Sequence, residues 1–183
     1  MKKSIKTFLK HPTKDSSNRS ANPAVIRAST ILFNSMQELY LHEKKIKKHQ
    51  KISHYSYGRY GSSTTIELEN ILKELEQAFH VFLTGTGFGG VALAIMSLCR
   101  PGDELLVSDN VYGPTKEISE KLLKEFKVTA KFYNPESFED LKKKVSKKTK
   151  MILVENPGSN TFEFQDLSKI INLAKKKKIY TFL

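Results

Sequence analysis

The residues most suited to chemistry lie between Val81 and Leu98, where Gly85, Gly87, Gly89 and Gly90 separate an apolar, β-branched run from a longer apolar one. The pattern predicts a strand over Val81–Thr84, a turn, and a buried helix over Phe88–Leu98. Glycine removes side chains from such a turn, so N–H groups at the helix start can face an anion, and the helix macrodipole adds to the attraction. A phosphate would fit there. Two other readings suit the same residues. Glycines also let a helix pack closely on its strand. In addition, Gly85 to Gly90 satisfy GxGxxG, and Asp109 stands roughly 20 residues on, where a dinucleotide site would hold a ribose.

The glycine-rich loop is one of four ordered motifs. Asn22-Pro23-Ala24-Val25-Ile26-Arg27-Ala28-Ser29-Thr30-Ile31-Leu32-Phe33, then Tyr57-Gly58-Arg59-Tyr60-Gly61, then Val81 to Lys116, and finally Glu155-Asn156-Pro157-Gly158-Ser159 follow one another along the chain. In this order they resemble the Cys/Met-metabolism family of pyridoxal-phosphate enzymes, and the resemblance runs from Asn22 onward. It implies part of the large cofactor domain of the aspartate-aminotransferase-like (fold type I) α/β architecture, truncated, with a mostly parallel sheet. Pyridoxal 5'-phosphate is the implied cofactor.

Roles transfer position by position. Gly87 and Phe88 match the pair whose backbone N–H groups hold the cofactor phosphate. Tyr57 and Arg59 match residues that reach into the phosphate site of a neighbouring subunit, as expected of the family's homotetramers. Tyr112 matches the tyrosine stacked on the pyridine ring, and Ser159 is the substrate-site candidate. A guanidinium grips phosphate in a bidentate fork, and a phenol offers a flat apolar face to a flat ring. Thr86 stands where the family usually has Ser or Cys, and its hydroxyl retains hydrogen-bonding capacity. The Pro-Gly-Ser form at Pro157 to Ser159 resembles the cystathionine β-lyase branch, which implies cleavage of cystathionine to homocysteine, pyruvate and ammonia. The γ-synthase and γ-lyase branches, or a non-catalytic remnant, are the alternatives.

The family's chemistry also uses a lysine that forms a Schiff base with the cofactor aldehyde and an aspartate that pairs with the pyridine nitrogen. Neither is found here. Both are expected beyond residue 183, so no catalytic residue is assigned, and the chain is expected to be an amino-terminal fragment that is inactive alone. Lys116 and Lys175 to Lys178 fall in solvated helix positions, unsuited to a depressed pKa.

These residues need elements to hold them. Residues 1–50 read as an amino-terminal arm with a short helix near Met36 to Lys48, and residues 51–183 as an incomplete cofactor-binding α/β domain. Thr64 and Glu67 form a predicted capping box, with Leu68, Leu72, Leu75 and Phe79 at helical spacing behind it. Helix 114–126, strand 128–133, a helix opened by Ser137 and Asp140, strand Met151–Glu155, helix 166–178 and a last strand from Lys178 then alternate. Such alternation predicts a mostly parallel sheet with ligands at the carboxyl ends of its strands, where Thr84 to Gly87, Tyr112 and Pro157 to Ser159 fall.

Composition narrows the remaining classes. The 183 residues are 39% hydrophobic, and no apolar stretch approaches the length of a membrane span. The first residues, MKKSIKTFLKHPTK, have too short an apolar core for a secretory signal, so a cytoplasmic location is expected. Cys99 is the only cysteine, which excludes an internal disulfide, and it reads as a small core residue. His11, His42, His49, His54 and His80 show no ligand spacing, and no metal is expected. The net charge of +12 comes from lysine clusters without interleaved stacking aromatics, which read as solvated faces and not as a nucleic-acid surface.

Overall fold

A computed structural model describes residues 23–48, 50 and 52–183, and these divide into two compact units between Leu83 and Thr84. Residues 1–22 of the arm expected over residues 1–50, His11 and Asn22 among them, and His49 lie outside the described residues.

The first unit contains α1 (Met36–Lys47), a single 3₁₀ turn (Gly58–Tyr60) and α2 (Ser63–Leu75). Ser35 caps α1 by accepting the Glu38 N–H at 3.1 Å, while the Glu38 carboxylate accepts the Asn34 N–H at 2.8 Å. Such reciprocal bonds satisfy donors that a helix start leaves free. Helix α2 begins two residues earlier than Thr64 and Glu67 suggest. Ser62 is its N-cap residue, and the Ser62 N–H donates to Thr65 Oγ1 at 2.8 Å. Thr64 is otherwise engaged: its hydroxyl donates to the Ala24 carbonyl at 3.0 Å and accepts the Ile26 N–H at 2.8 Å. Ile66 is the one fully buried apolar side chain among the described residues of this unit, while Leu68, Leu75 and Phe79 are exposed.

The second unit is built on a four-stranded parallel sheet. Helix α3 (Gly87–Leu98) leads into β1 (Glu104–Ser108), followed by α4 (Gly113–Glu120), α5 (Leu122–Glu125) and β2 (Thr129–Tyr133). Then come α6 (Phe138–Lys144), β3 (Thr149–Leu153), α7 (Leu167–Lys177) and β4 (Tyr180–Phe182). The strand order is β2-β1-β3-β4, with Leu106 paired to Lys131 on one side and Ile152 on the other.

Period-two alternation divides the core between the two faces of the sheet. Leu105, Val107, Met151 and Leu153 pack with Ile95 and Cys99 of the α3 region and Leu123 of α5. Leu106, Ile152 and Val154 pack with Leu141 of α6 and Ile170 and Ala174 of α7. Helices therefore cover both faces, as a parallel sheet requires.

Three further expectations need correction. Val81–Thr84 forms no strand: its β-branched content favours extended backbone, but no neighbouring strand pairs with it among the described residues, and Phe82 is exposed. Helix 114–126 is two helices that meet at Lys121, whose φ and ψ of −104° and −71° stay in the right-handed region but depart from ideal helix values. Helix α3 is not buried all round. It sinks Ile95 into the core but leaves Leu93 and Met96 about half exposed, since only one of its faces meets the sheet.

At the amino end of the sheet, Glu104 accepts from Lys131 Nζ at 2.8 Å and from Ser146 Oγ at 2.6 Å. These bonds, that to Lys131 first, hold its carboxyl below the ordinary glutamate range. A depressed carboxylate contributes stability at pH values above its unfolded pKa and loses it as pH falls through the folded one. In urea titrations, the stability gap between wild type and Glu104→Gln should therefore be open at pH 7 and close toward pH 3. Ile152→Ala should cost about 3 kcal/mol at pH 7 by the same measurement, because it empties space in the buried cluster that Ile152 shares with Leu106, Leu141 and Ile170.

Candidate functional site

The chain leaves β1 toward β2 on one side, and leaves β3 toward β4 on the other, so the carboxyl ends of β1 and β3 border a crevice at a topological switch point. The loop of residues 109–112 and the loop of residues 154–166 meet there. The Ser159 N–H donates to the Asn110 carbonyl at 2.9 Å, and the Tyr112 N–H donates to Glu155 Oε2 at 2.8 Å. Tyr112 and Ser159 are thus brought to one edge.

Below these loops runs a chain of buried polar groups. Tyr133 donates its hydroxyl proton to Gln165 Oε1 at 2.9 Å, and Gln165 Nε2 donates to Ser108 Oγ at 2.9 Å and to the Glu155 carbonyl at 3.1 Å. The Gln165 N–H donates to Asn156 Oδ1 at 2.6 Å, and Ser108 Oγ donates to Asn110 Oδ1. Burial pushes the Tyr133 phenol far above its ordinary range, so it is a fixed donor at any working pH. Sequence reasoning missed Ser108, Asn110 and Gln165. The available signal was polar residues at the ends of apolar strands, which is faint until the strand order is known.

Helix α3 hands over to β1 through the short turn at Pro101 and Gly102. Its 12 residues span about 18 Å, close to the length of a five-residue strand, so its amino end stands at the carboxyl end of the sheet. Thr86 caps it by accepting the Gly89 N–H at 2.9 Å, and Thr84 Oγ1 donates to the Thr86 carbonyl at 2.9 Å. One lone pair of the Thr86 hydroxyl thus caps the helix, while its O–H remains a donor. The N–H groups of Gly87 and Phe88 have no acceptor among the described residues. Space beside Gly85 and Gly87 is open, whereas a side chain on Gly89 would meet Thr86 Oγ1. Free donors, open approach and a positive helix end fit a phosphate group.

Tyr57 and Arg59 belong to the first unit. Thr30 and Tyr57 form an antiparallel bridge, and the Gly58 N–H donates to the Ser29 carbonyl at 2.7 Å. A side chain at Gly58 would collide with the Ala28 carbonyl, so glycine is what lets the two motif segments touch. The Arg59 guanidinium is exposed and lies 5.1 Å from the Tyr57 ring centroid, a cation–π stack that preorganises both.

Lys116 does not suit covalent chemistry. Its ammonium bonds Asp109 at 2.6 Å and lies 5.1 Å from the Phe132 ring, and the Asp109 carboxylate holds its pKa above the ordinary lysine value. The same bond occupies the carboxylate that a dinucleotide reading assigns to ribose. Cys99 lies in the core with its thiol pushed up by burial, as a structural cysteine does. A surface cavity of about 610 Å³ is lined by Asp109, Phe132, Asn134 and Asp140, and there Asp140 is already paired with Lys144 at 2.7 Å. No helix among the described residues is long and apolar enough to cross a membrane.

Comparison with known proteins identifies the family. The family model described as Cys/Met metabolism PLP-dependent enzyme matches residues 6–183. A Saccharomyces cerevisiae relative is 32% identical over 92% of this chain and 47% of its own length. A cystathionine beta-lyase from Bordetella avium is 31% identical over 95% of this chain and 44% of its own length. The chain thus spans less than half the length of these relatives. A Campylobacter jejuni structure that contains N'-pyridoxyl-lysine-5'-monophosphate superposes with TM-score 0.85 at 22% identity, covering 98% of this chain and 44% of that one.

The glycines separate two roles that mutation can distinguish. Gly158→Ala places a methyl group against Asn110 and Glu163 and should cost about 2 kcal/mol in urea unfolding. Gly87→Ala meets open space at a helix start and should change stability by about 1 kcal/mol at most, in the stabilising direction.

Proposed function

Because the chain belongs to the Cys/Met-metabolism family of pyridoxal-phosphate-dependent enzymes, we propose that it is the amino-terminal part of a carbon–sulfur lyase of the cystathionine β-lyase kind. The complete enzyme would cleave cystathionine to homocysteine, pyruvate and ammonia. This chain's own contribution would be the cofactor cradle. The observation that carries the reading is the pair of free N–H groups at Gly87 and Phe88, on the sheet end that also presents Tyr112 and Ser159.

In this reading the Gly87 and Phe88 N–H groups hold the cofactor phosphate, and the exposed Tyr112 ring covers the pyridine face. Ser159, fixed through Asn110, stands on the substrate side. Tyr57 and Arg59, stacked on each other, serve the phosphate of a neighbouring subunit in a homotetramer. Residues 1–50 act as an arm and residues 51–183 as part of the cofactor domain. Bound pyridoxal phosphate supplies an electron sink for charge developing at the α-carbon of an amino acid. The residues named here bind and orient it. None of the lysines named here is proposed to bond it, and Lys116 is held protonated by Asp109.

The reading predicts that the purified chain, given pyridoxal phosphate and cystathionine, releases no sustained pyruvate. Combined with the carboxyl-terminal segment of the Bordetella avium relative, it should release pyruvate together with homocysteine. Sustained pyruvate from the chain alone would contradict the cradle-only role, and 2-oxobutyrate with cysteine would move the assignment to a γ-lyase.

A further inference from the structure

Tyr112 occupies an exacting position with little of its own to hold it. It is the N-cap residue of α4, its φ and ψ are −48° and 132°, and its side chain makes no capping bond. A tyrosine cannot accept the N–H groups of its own helix start as Ser or Asp would. The residue is 52% exposed, so packing does little to fix its ring either.

The missing constraint comes from 43 residues away in sequence, where Glu155 Oε2 accepts the Tyr112 N–H at 2.8 Å. The carboxylate also stands at the positive end of α4, which favours its charge. Glu155 is itself pinned, since Gln165 Nε2 donates to its carbonyl at 3.1 Å and the Gln165 N–H holds the adjacent Asn156 side chain at 2.6 Å. A charge-assisted bond between two fixed segments is the kind that sets orientation.

We infer that Glu155 is a positioning residue for Tyr112: its carboxylate fixes the backbone entry to α4 and thereby the presentation of the ring to a planar phosphorylated ligand. The inference rests on the cofactor reading of Tyr112 given above. Glu155 touches neither phosphate nor ring in this role. Its loss therefore weakens ring recognition and spares phosphate recognition at α3.

Affinities of the 183-residue chain for pyridoxine 5'-phosphate and for inorganic phosphate test this. Pyridoxine 5'-phosphate has no aldehyde to condense with the many surface lysines. Tyr112→Ala and Glu155→Ala should each weaken pyridoxine 5'-phosphate binding about tenfold, the loss expected of one aromatic contact. The double variant should bind no worse than either single one, and inorganic phosphate affinity should be unchanged throughout. Glu155→Gln, which keeps an acceptor, should stay within about threefold of wild type. Should Glu155→Ala not fold, Glu155→Asp, one methylene too short for the contact, replaces it with the same expectation. Wild-type affinity in Glu155→Ala, equal loss for both ligands, or additive losses in the double variant overturn the inference while leaving the cofactor site standing. If wild type does not bind pyridoxine 5'-phosphate, or Tyr112→Ala binds it as wild type does, the cofactor reading fails and this inference with it.

Discussion

The side chain and backbone of Gln165 join the ends of three strands. Its Nε2 reaches Ser108 at the end of β1 and the Glu155 carbonyl beyond β3, its Oε1 accepts from Tyr133 at the end of β2, and its N–H holds Asn156. A parallel sheet leaves its strand ends with polar groups pointing at whatever loop follows, and buried polar groups must be paired. Here one amide does most of the pairing. Removing it would leave the Tyr133 phenol without its acceptor, the Glu155 carbonyl without its donor and Ser108 with Asn110 alone, and networks of this kind are worth most when fully satisfied.

That constraint shapes the crevice above it. Because Ser108 and Glu155 share one partner, the loops that follow them leave the sheet side by side, and the Ser159–Asn110 and Tyr112–Glu155 bonds can form. Function then becomes separable from stability along the chain. The apolar faces Leu105–Val107 and Met151–Leu153 hold the sheet, the amide network fixes its carboxyl edge, and the exposed groups at Gly87, Phe88 and Tyr112 remain available to a ligand. The first unit contrasts with this, since its motif segments are held by backbone bonds at Ser29, Thr30, Tyr57 and Gly58 with little buried apolar surface.

Much of the fold was legible because local signals agreed with one another. The helix–strand alternation from residue 128 onward, the cap at Ser137 and the position of Cys99 all emerge from periodicity and residue type. The misreadings have a common cause. Val81–Thr84 has strand propensity without a partner, α3 has an apolar circumference of which one face is covered, and Thr64 looks like a cap but bonds a distant segment. Each depends on tertiary neighbours that no local window contains. The site divides in the same way. Gly87, Phe88 and Tyr112 stand in motifs whose spacing is local, whereas the Gln165 network and the Glu155–Tyr112 bond span 57 and 43 residues and exist only once β1 and β3 are adjacent.

The account turns on the amino end of α3 being an anion site for a phosphorylated ring. The direct measurement is a titration of the isotopically labelled chain with pyridoxine 5'-phosphate, following the backbone amide resonances. Saturable shifts centred on the Gly87 and Phe88 amides, accompanied by Tyr112, are the predicted result. Shifts confined to lysine-rich surfaces such as residues 175–178, with Gly87 and Phe88 unmoved, would contradict it.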